Sequence, residues 1–372
     1  MSRRDWPLVR LGEVLTQAVR AEQVDPSREY RLLGVRLEGL GPFRRETVSG
    51  SQTAATKLFV VKTGDFIYSR LFACRGAFGV IGPELDGCYV SGEFPVFIPD
   101  SDRLDVEFLR YWFRLPQVIA RVDADCTGST PLTRNRFNER FFRLLEFPLP
   151  PLAEQRRVVA RIAELATAIS EAQMLRKQAD GETRSLFAAR KRQVFEQARK
   201  HGETLLEDAF KRVSNGRRFD KASVQATGTV PVLSQSEKDV LGYHDGVPSV
   251  GAENLPLVTF ANHTCAVRYV DFPFSTIQNV FLMKPVPGIE ARYFYHFLHG
   301  RVQQEFYGGH WYQVGLLKIP VPPVAEQRRI VAELDAVQTA VDSLGHVQAG
   351  VAAELEVVLP AILDRAFEGE LL

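Results

Sequence analysis

Apolar residues recur at alternating spacings of four and three in two long stretches of the chain, residues 152–198 and 324–372. The first seam contains Val158, Ile162, Leu165, Ile169 and Ala172, and resumes at Leu186, Phe187, Val194 and Phe195. The second seam contains Ile330, Leu334, Val337, Val341, Leu344, Val351, Leu355, Val358 and Ile362. This spacing predicts two long helices, each roughly 65–70 Å in length. Gly181 is the sole interruption of the first pattern.

The two predicted helices can bury their seams in two ways. They can pack on each other as an antiparallel coiled coil, which leaves the globular parts of the chain at opposite ends. Alternatively, each helix packs on its own globular part as an ordinary surface helix. The coiled coil is favoured because seams of this length exceed what one small domain can cover.

Both predicted helices begin with the same sequence. Residues 148–169 match residues 320–341 without a gap, at an offset of 172 positions. Within this match, Pro-Pro-x-Ala-Glu-Gln-Arg-Arg is identical at 150–157 and 322–329. Proline suits a helix entry, and Glu154 places a carboxylate near the positive end of the helix dipole. The chain is therefore an internal duplication with two similar modules.

Short alternating runs separated by Gly and Pro fill the parts before each helix, and we call these parts the heads. Strands are predicted at 30–37, 58–61, 66–71, 230–233, 257–261, 264–270 and 279–283, and short helices at 105–113 and 289–299. The predicted fold class is α+β: two α/β heads separated by two long helices that form an antiparallel coiled coil with pseudo-two-fold symmetry. The predicted boundaries are 1–151 for the first head, 152–200 for the first helix, 201–323 for the second head and 324–372 for the second helix.

Composition places few limits on function. The net charge is +1, so a nucleic-acid partner requires local basic surfaces. The four cysteines, Cys74, Cys88, Cys126 and Cys265, form no C-x-x-C pair and have no zinc-finger spacing with histidines. They are expected to be free thiols in a reducing cytosol. No uninterrupted apolar run approaches about 18 residues, so we expect a cytoplasmic, soluble protein.

Signatures of common catalytic sites are missing. The sequence contains no G-x-x-x-x-G-K-[ST] phosphate loop, no amino-methyltransferase tetrapeptide and no nuclease PD…(D/E)-x-K pattern. His296 and His299 have the spacing of a metal pair on a helix, but no carboxylate motif accompanies them. The sequence therefore predicts no catalytic residue, no metal site and no cofactor bound by this chain, which indicates a binding protein.

Basic, aromatic and amide side chains in the heads are candidates for DNA contact, because Arg and Lys neutralise phosphates and Arg, Asn and Gln read base edges. In the first head these are Lys57, Arg70, Arg75, Ser129, Arg134 and Arg136. In the second head these are Arg217, Arg218, Lys238, His310, Tyr312 and Gln313. An isolated surface Arg is more often simply solvated, so these assignments depend on the architecture.

The repeated P-L-P-P-L-A-E-Q-R-R and P-V-P-P-V-A-E-Q-R-R segments resemble the specificity (S) subunit of type I restriction-modification systems. Two further segments fit that family: Gly64-Asp65-Phe66-Ile67, and the ending I-L-D-R-A-F-E-G-E-L at 362–371. The resemblance covers essentially the whole chain.

The resemblance implies two target-recognition domains, each reading one half of a bipartite, asymmetric double-stranded DNA target. It implies that the coiled coil sets the spacer and docks two modification (methyltransferase) subunits, and that restriction (motor-nuclease) subunits join them. S-adenosylmethionine, ATP and Mg would then be held by the partner subunits. The candidates for subunit docking and helix start are Glu154, Gln155, Arg156, Glu326, Gln327 and Arg328.

Two other functions stay open from sequence. One is a non-catalytic scaffold or adaptor of another defence or DNA-associated complex, which would use the same coiled coil to bind protein. The other is a stand-alone enzyme, such as a nuclease or a fused methyltransferase, which the missing signatures disfavour.

Overall fold

The computed structural model describes residues 6–126, 136–237, 239–304 and 308–370. The chain divides into two compact units, Met1–Arg176 with Ala349–Leu372, and Lys177–Gln348. Each unit therefore contains one head, the start of one long helix and the end of the other. This division cuts across both long helices, whereas the sequence suggested separate head and helix domains.

The first unit is rich in short strands. They are β1 (Leu8–Arg10), β2 (Leu15–Gln17), β3 (Ala21–Gln23), β4 (Glu29–Val35), β5 (Pro42–Ser49), β6 (Lys57–Val60), β7 (Phe66–Tyr68), β8 (Phe78–Val80), β9 (Tyr89–Val90), β10 (Val96–Pro99) and β11 (Glu146–Pro148). Among the described residues they form the sheets β2-β10-β7-β8, β3-β6-β9-β4-β5 and β1-β11. Neighbouring strands are antiparallel except β4 and β9.

Three short helices complete the first head: α1 (Val106–Trp112), α2 (Pro116–Ala124) and α3 (Glu139–Leu144). The Asp105 side chain caps α1 by accepting a hydrogen bond from Glu107 N at 2.9 Å. The core beneath them is aromatic, with the rings of Phe78 and Phe113 stacked at 4.1 Å. Phe142 of α3 joins the same cluster.

The second unit repeats this plan. Its strands are β12 (Glu203–Leu205), β13 (Phe210–Val213), β14 (Arg218–Phe219), β15 (Val230–Leu233), β16 (Val240–His244), β17 (Leu257–Ala261), β18 (Val267–Val270), β19 (Ser275–Ile277), β20 (Val280–Pro285) and β21 (Lys318–Pro320). The antiparallel sheet β13-β20-β17-β18 corresponds to β2-β10-β7-β8, and the pair β12-β21 to β1-β11. The remaining sheet, β14-β19-β15-β16, has four strands where the first unit has five. The heads differ mainly in this sheet.

The long helices are α4 (Leu152–Ala198) and α7 (Val324–Phe367); two short helices of the second head, α5 (Ala291–Leu298) and α6 (Trp311–Leu316), lie between them in the chain. The helix starts agree with the sequence prediction. The second proline of each Pro-Pro pair stands just before the helix, and its carbonyl accepts the first helical hydrogen bonds. Pro151 O accepts from Glu154 N at 2.8 Å, and Pro323 O accepts from Glu326 N at 2.9 Å.

The seams of the long helices are buried mainly at the helix ends. The first core contains Val158, Ile162, Leu363 and Ala366, and the second contains Val194, Phe195, Ile330 and Leu334. In each unit the start of one long helix and the end of the other thus enter one core, as an antiparallel pair requires. Seam residues farther from the heads stay accessible, since Leu186 is 71% exposed and Leu344 is 40% exposed. The continuous seam burial that the sequence suggested is therefore not complete.

The α7 helix contains an 18-residue window with a mean hydropathy of 1.3, enough by length and composition to cross a membrane. The helix contains no uninterrupted apolar run of this length, which is why the sequence pattern did not indicate it. Polar residues recur every four positions at Gln338, Asp342 and His346, and Gln338 Nε2 donates to Asp342 Oδ1 at 3.0 Å. A polar stripe of this kind is typical of a helix with one apolar face and one polar face.

A buried glutamine joins each long helix to its head. The Gln155 Oε1 atom accepts from Asp105 N at 2.8 Å, while Nε2 donates to Arg103 O and Pro150 O, both at 2.8 Å. The Gln155 side chain is fully buried. Three backbone groups of the head and of the helix entry are thus satisfied by one side-chain amide.

Gln327 makes the same contacts in the second unit. Its Oε1 atom accepts from Glu290 N at 2.9 Å, and its Nε2 atom donates to Gly288 O and Pro322 O, both at 2.8 Å. This side chain is also fully buried. We call the two arrangements the glutamine junctions. The repeated Gln of the sequence motif is therefore the residue that connects head and helix.

We expect Gln155→Leu and Gln327→Leu each to lower the free energy of unfolding by at least about 3 kcal/mol, because every orphaned buried polar group costs about 1–3 kcal/mol. Urea unfolding of the full chain measures the loss. The control is Gln178→Leu on the exposed face of α4, where the amide bonds only Glu182 of the next helical turn. A loss no larger than that of the control would contradict the structural role of the junctions.

A second polar contact links α5 to α7. Arg292 Nε and His296 Nε2 both lie 2.7 Å from carboxylate oxygens of Asp335. Burial lowers the pKa of His296 to about 4, outweighing the hydrogen bond to Asp335. For Asp335, burial opposes ionisation, but the hydrogen bonds from Arg292 and His296 prevail and lower its pKa. At neutral pH His296 is therefore uncharged beside an ionised Asp335.

The second unit should lose stability as the pH falls from about 6.5 to about 4. In this window the unfolded chain binds a proton at His296 that the folded chain does not, so acid favours unfolding by an amount on the order of 3 kcal/mol. His296→Gln, which cannot titrate, should flatten this part of the curve of unfolding free energy against pH. The matched control is His346→Gln at an exposed position; identical pH slopes in the His296 variant and the parent would contradict the assignment.

Candidate nucleic-acid interface

The Gly64-Asp65 pair of the first head has a structural role. Gly64 has a φ of +87°, which favours glycine in this turn before β7. The Asp65 carboxylate is buried and accepts from Lys62 N at 2.7 Å, while Arg20 contributes two hydrogen bonds at 2.5 and 3.0 Å. This pair closes the turn that presents β7, and it is not part of an exposed surface.

Two of the DNA-contact candidates in the first head are engaged by carboxylates. Arg70 is ion-paired with Glu139 at the start of α3. Arg136 forms a two-point pair with Glu93, with Nε–Oε2 at 3.1 Å and Nη2–Oε1 at 2.8 Å. These pairs hold the chain that precedes α3. Arg70 is partly exposed, and Arg136 is exposed but neutralised by Glu93. DNA would therefore have to compete with Glu139 for Arg70 and with Glu93 for Arg136.

Lys57 and Arg75 are the exposed cations among the first-head candidates. Lys57 begins β6, and Arg75 ends a 3-10 turn at Ala73–Arg75. Neither forms an ion pair within the part of the chain that the structure describes. Their charges are available to phosphate groups. The candidates Ser129 and Arg134 lie outside the described residues.

In the second head, Arg217 and Arg218 are adjacent and exposed at β14. The Arg217 guanidinium lies over the Phe219 ring at 4.7 Å, and the Arg217 carbonyl accepts from Ser249 Oγ at 2.7 Å. β14 is an edge strand of β14-β19-β15-β16, the sheet that differs most between the heads. Lys238 lies outside the described residues.

The remaining candidates cluster at the start of α6. His310 is fully buried, with its backbone N–H donating to Asn262 Oδ1 at 2.9 Å. A DNA contact through its side chain is inconsistent with this burial, so its position is structural. Tyr312 is 55% exposed, and Gln313 Nε2 donates to its hydroxyl at 3.4 Å. Of these three residues, Tyr312 offers the most accessible surface.

The predicted docking residues divide into buried and exposed groups. Gln155 and Gln327 lie in the glutamine junctions, so they fit the predicted helix start, whereas docking would require exposed side chains. Arg156 is exposed, and Arg328 is exposed and paired with Glu290 at 2.8 Å. Glu326 bonds Arg329, and this hydrogen bond lowers the pKa of its carboxyl. Glu154 is partly exposed.

Sequence reasoning missed the acidic partners of the arginines. Glu139 lies 69 residues from Arg70, and Glu93 lies 43 residues from Arg136. No local spacing connects these pairs. Arg212 is one of the basic residues that the sequence shows in the second head, but its aromatic partners were not predicted: its guanidinium lies 4.8 Å from the Phe281 ring and 5.3 Å from the Trp311 ring.

Comparisons with known proteins agree with this architecture. Residues 204–351 match the model of the type I restriction modification DNA specificity domain. One solved structure, described under "Structural basis underlying complex assembly and conformational transition of the type I R-M system", aligns with a TM-score of 0.77 at 21% identity, covering 98% of each chain. The crystal structure of the HsdS subunit from Thermoanaerobacter tengcongensis aligns with a TM-score of 0.60 at 22% identity, covering 99% of this chain and 97% of that one. The chain matches none of the curated proteins by sequence.

The matched segment runs from β12 into the middle of α7, so it includes the whole second head and the second glutamine junction. The two structural alignments extend the likeness in fold to the first head and to α4. Residues 204–351 are therefore similar to a type I restriction modification DNA specificity domain, and the whole chain shares the fold of these two solved structures.

Proposed function

We propose that this chain is the DNA-recognition subunit of a type I restriction-modification complex and that each head reads one half of a bipartite, asymmetric target. The observation that carries the proposal is the specificity-domain match at 204–351 together with the repeated head plan. We call the corresponding sheets β2-β10-β7-β8 and β13-β20-β17-β18 the inner sheets. Two heads with the same inner sheet and the same glutamine junction are suited to the same task on two half-sites.

The difference between the heads supports asymmetry of the target. The inner sheets have corresponding strand orders, whereas the sheets β3-β6-β9-β4-β5 and β14-β19-β15-β16, which we call the outer sheets, have five and four strands. Side chains that read base edges must differ between two half-sites of different sequence. We therefore place recognition on the outer sheets and the segments next to them, and we assign support of the long helices to the inner sheets.

We assign the contacts with DNA phosphates to the exposed cations of the heads. Lys57, Arg75, Arg217 and Arg218 present charge to solvent. Arg70 and Arg136 act by holding the segment before α3 through Glu139 and Glu93. Ser129, Arg134 and Lys238 remain candidates from the sequence alone.

The long helices would dock the partner subunits. Met174, Leu175, Val347 and Val357 are each more than 60% exposed, so both long helices carry apolar side chains that the described residues do not cover. We propose that two methyltransferase subunits bind there and that motor-nuclease subunits join through them. Catalysis, S-adenosylmethionine, ATP and Mg belong to those partners, and the complex works in the cytoplasm.

The same exposed apolar surface favours a second candidate function, a protein-binding scaffold of another DNA-associated complex. A scaffold would assemble partners without giving them sequence preference. Expression of the chain with its methyltransferase in a methylation-free host, followed by methylome sequencing, distinguishes the two. We expect one bipartite adenine motif that disappears when the chain is omitted; an unchanged methylome would exclude the recognition function.

Removing exposed head cations should weaken DNA binding without changing the recognised sequence. We expect Lys57→Ala and Arg218→Ala each to lower affinity for all sequences and to reduce the slope of log K against log salt by about 1, since each phosphate contact releases about one counterion. Fluorescence anisotropy of the assembled complex measures both quantities. The control is Arg161→Ala on α4, whose partner is Glu164 of the same helix; equal losses in the control and the head variants would contradict the assignment.

The long helices should set the distance between half-sites. One heptad inserted after Gly181 and one after Gly345, where no atom lies within 4 Å of an added Cβ, lengthen both helices by about 10 Å. The recognised spacer should grow by about three base pairs, or recognition should be lost, with both half-sites unchanged. Methylome sequencing reports the motif, and altered half-site bases would contradict the ruler role.

A further inference from the structure

Two cysteines and an aspartate meet in the first head, although the sequence gives no sign of it. Cys74 lies in the 3-10 turn Ala73–Arg75, while Asp123 and Cys126 lie at the end of α2. The two Sγ atoms and a carboxylate oxygen of Asp123 are all within 4.8 Å of one another. All three residues belong to the first unit.

The backbone around this cluster is fixed by hydrogen bonds. Cys126 N donates to Asp123 O at 3.1 Å, which sets the position of the second thiol at the helix end. On the other side, Glu38 N donates to Arg75 O at 2.9 Å and Gly76 N donates to Ala73 O at 2.9 Å. The Gly76 φ of +75° completes that turn. The ligand atoms are thus presented by two anchored segments.

The spacing suits a tetrahedral cation. Zinc bonds to sulfur at about 2.3 Å, so two thiolates on one zinc ion are about 3.8 Å apart. The sulfur atoms lie within 4.8 Å of each other, and rotation of the side chains alone can bring them to that distance. Thiolates select thiophilic metals, and the carboxylate adds a third ligand that zinc accepts. Mg and Ca, which prefer oxygen ligands, fit the set poorly.

A cavity gives a cation access to the cluster. Cys74 and Asp123 line this cavity of about 650 Å³, which offers a path from solvent.

We propose that Cys74, Asp123 and Cys126 form a site for one thiophilic divalent cation, best matched by Zn²⁺, with water in the fourth position. Each thiol releases its proton to solvent as its sulfur binds the metal. The metal would connect the 3-10 turn to the end of α2. The proposal does not depend on the proposed function, since it concerns the packing of one head.

The test uses the full-length chain, reduced with a phosphine, stripped with a chelator and titrated with Co²⁺ and then Zn²⁺. We expect one equivalent of Co²⁺ to produce a thiolate-to-cobalt charge-transfer band in the near ultraviolet, and Zn²⁺ to displace it. Cys74→Ser and Cys126→Ser should abolish the band. Asp123→Asn should keep a weaker band and lower the affinity at least about tenfold, which is the effect of removing even an outer-shell partner.

Cys88→Ala and Cys265→Ala are the matched controls, because both thiols are buried and neither belongs to the cluster. Far-ultraviolet circular dichroism verifies folding, and Asp123→Asn, an exposed change, keeps the test decisive if a cysteine variant does not fold. Absence of the band in the parent protein would overturn the proposal, as would its persistence in both cysteine variants. A Cys74–Cys126 disulfide in the isolated protein, with no metal binding after reduction, would overturn it as well.

Discussion

The glutamine junction is the contact on which the rest of each unit depends. A helix entry leaves backbone groups that need partners, and burying it against a head adds further groups to satisfy. Gln155 resolves this with one amide, and Gln327 does so in the same way. Because the amide is buried and fully bonded, the angle at which the helix leaves the head has little freedom. The repeated Pro-Pro-x-Ala-Glu-Gln segment thus forms a connection between head and helix that allows little change in their angle.

Beyond the junction, each head has one part that recurs in both units and one part that differs between them. The inner sheet, its short helix and the aromatic contact to the incoming long helix recur in both units: Phe108 meets Phe367 at 4.8 Å, and Tyr293 meets Phe195 at 5.2 Å. Among the described residues the outer sheet carries no such contact, and it has a different number of strands in each head. Divergence is tolerated where it does not disturb the junction, and this is also where a DNA-reading surface must differ.

The periodicity of apolar residues was sufficient to predict the elements that bury one face. The starts of α4 and α7 and the bounds of β15 and β17 follow from the sequence alone. It failed for β5 (Pro42–Ser49), whose mostly exposed residues alternate in neither polarity nor burial. It also failed for the site, because pairs such as Arg70–Glu139 form between residues that only the fold brings together. Long-range polar contacts leave no periodic signal.

In the middle of the long helices, the apolar seams are not fully buried. The head cores bury the seam only near the helix ends, and side chains such as Met174, Leu186 and Val347 remain more than 60% exposed. Each apolar side chain that a partner covers contributes roughly 1.5–3 kcal/mol. Covering several of them in a complex would therefore contribute substantially to the free energy of association. These exposed side chains therefore fit the docking surface that we propose for the partner subunits.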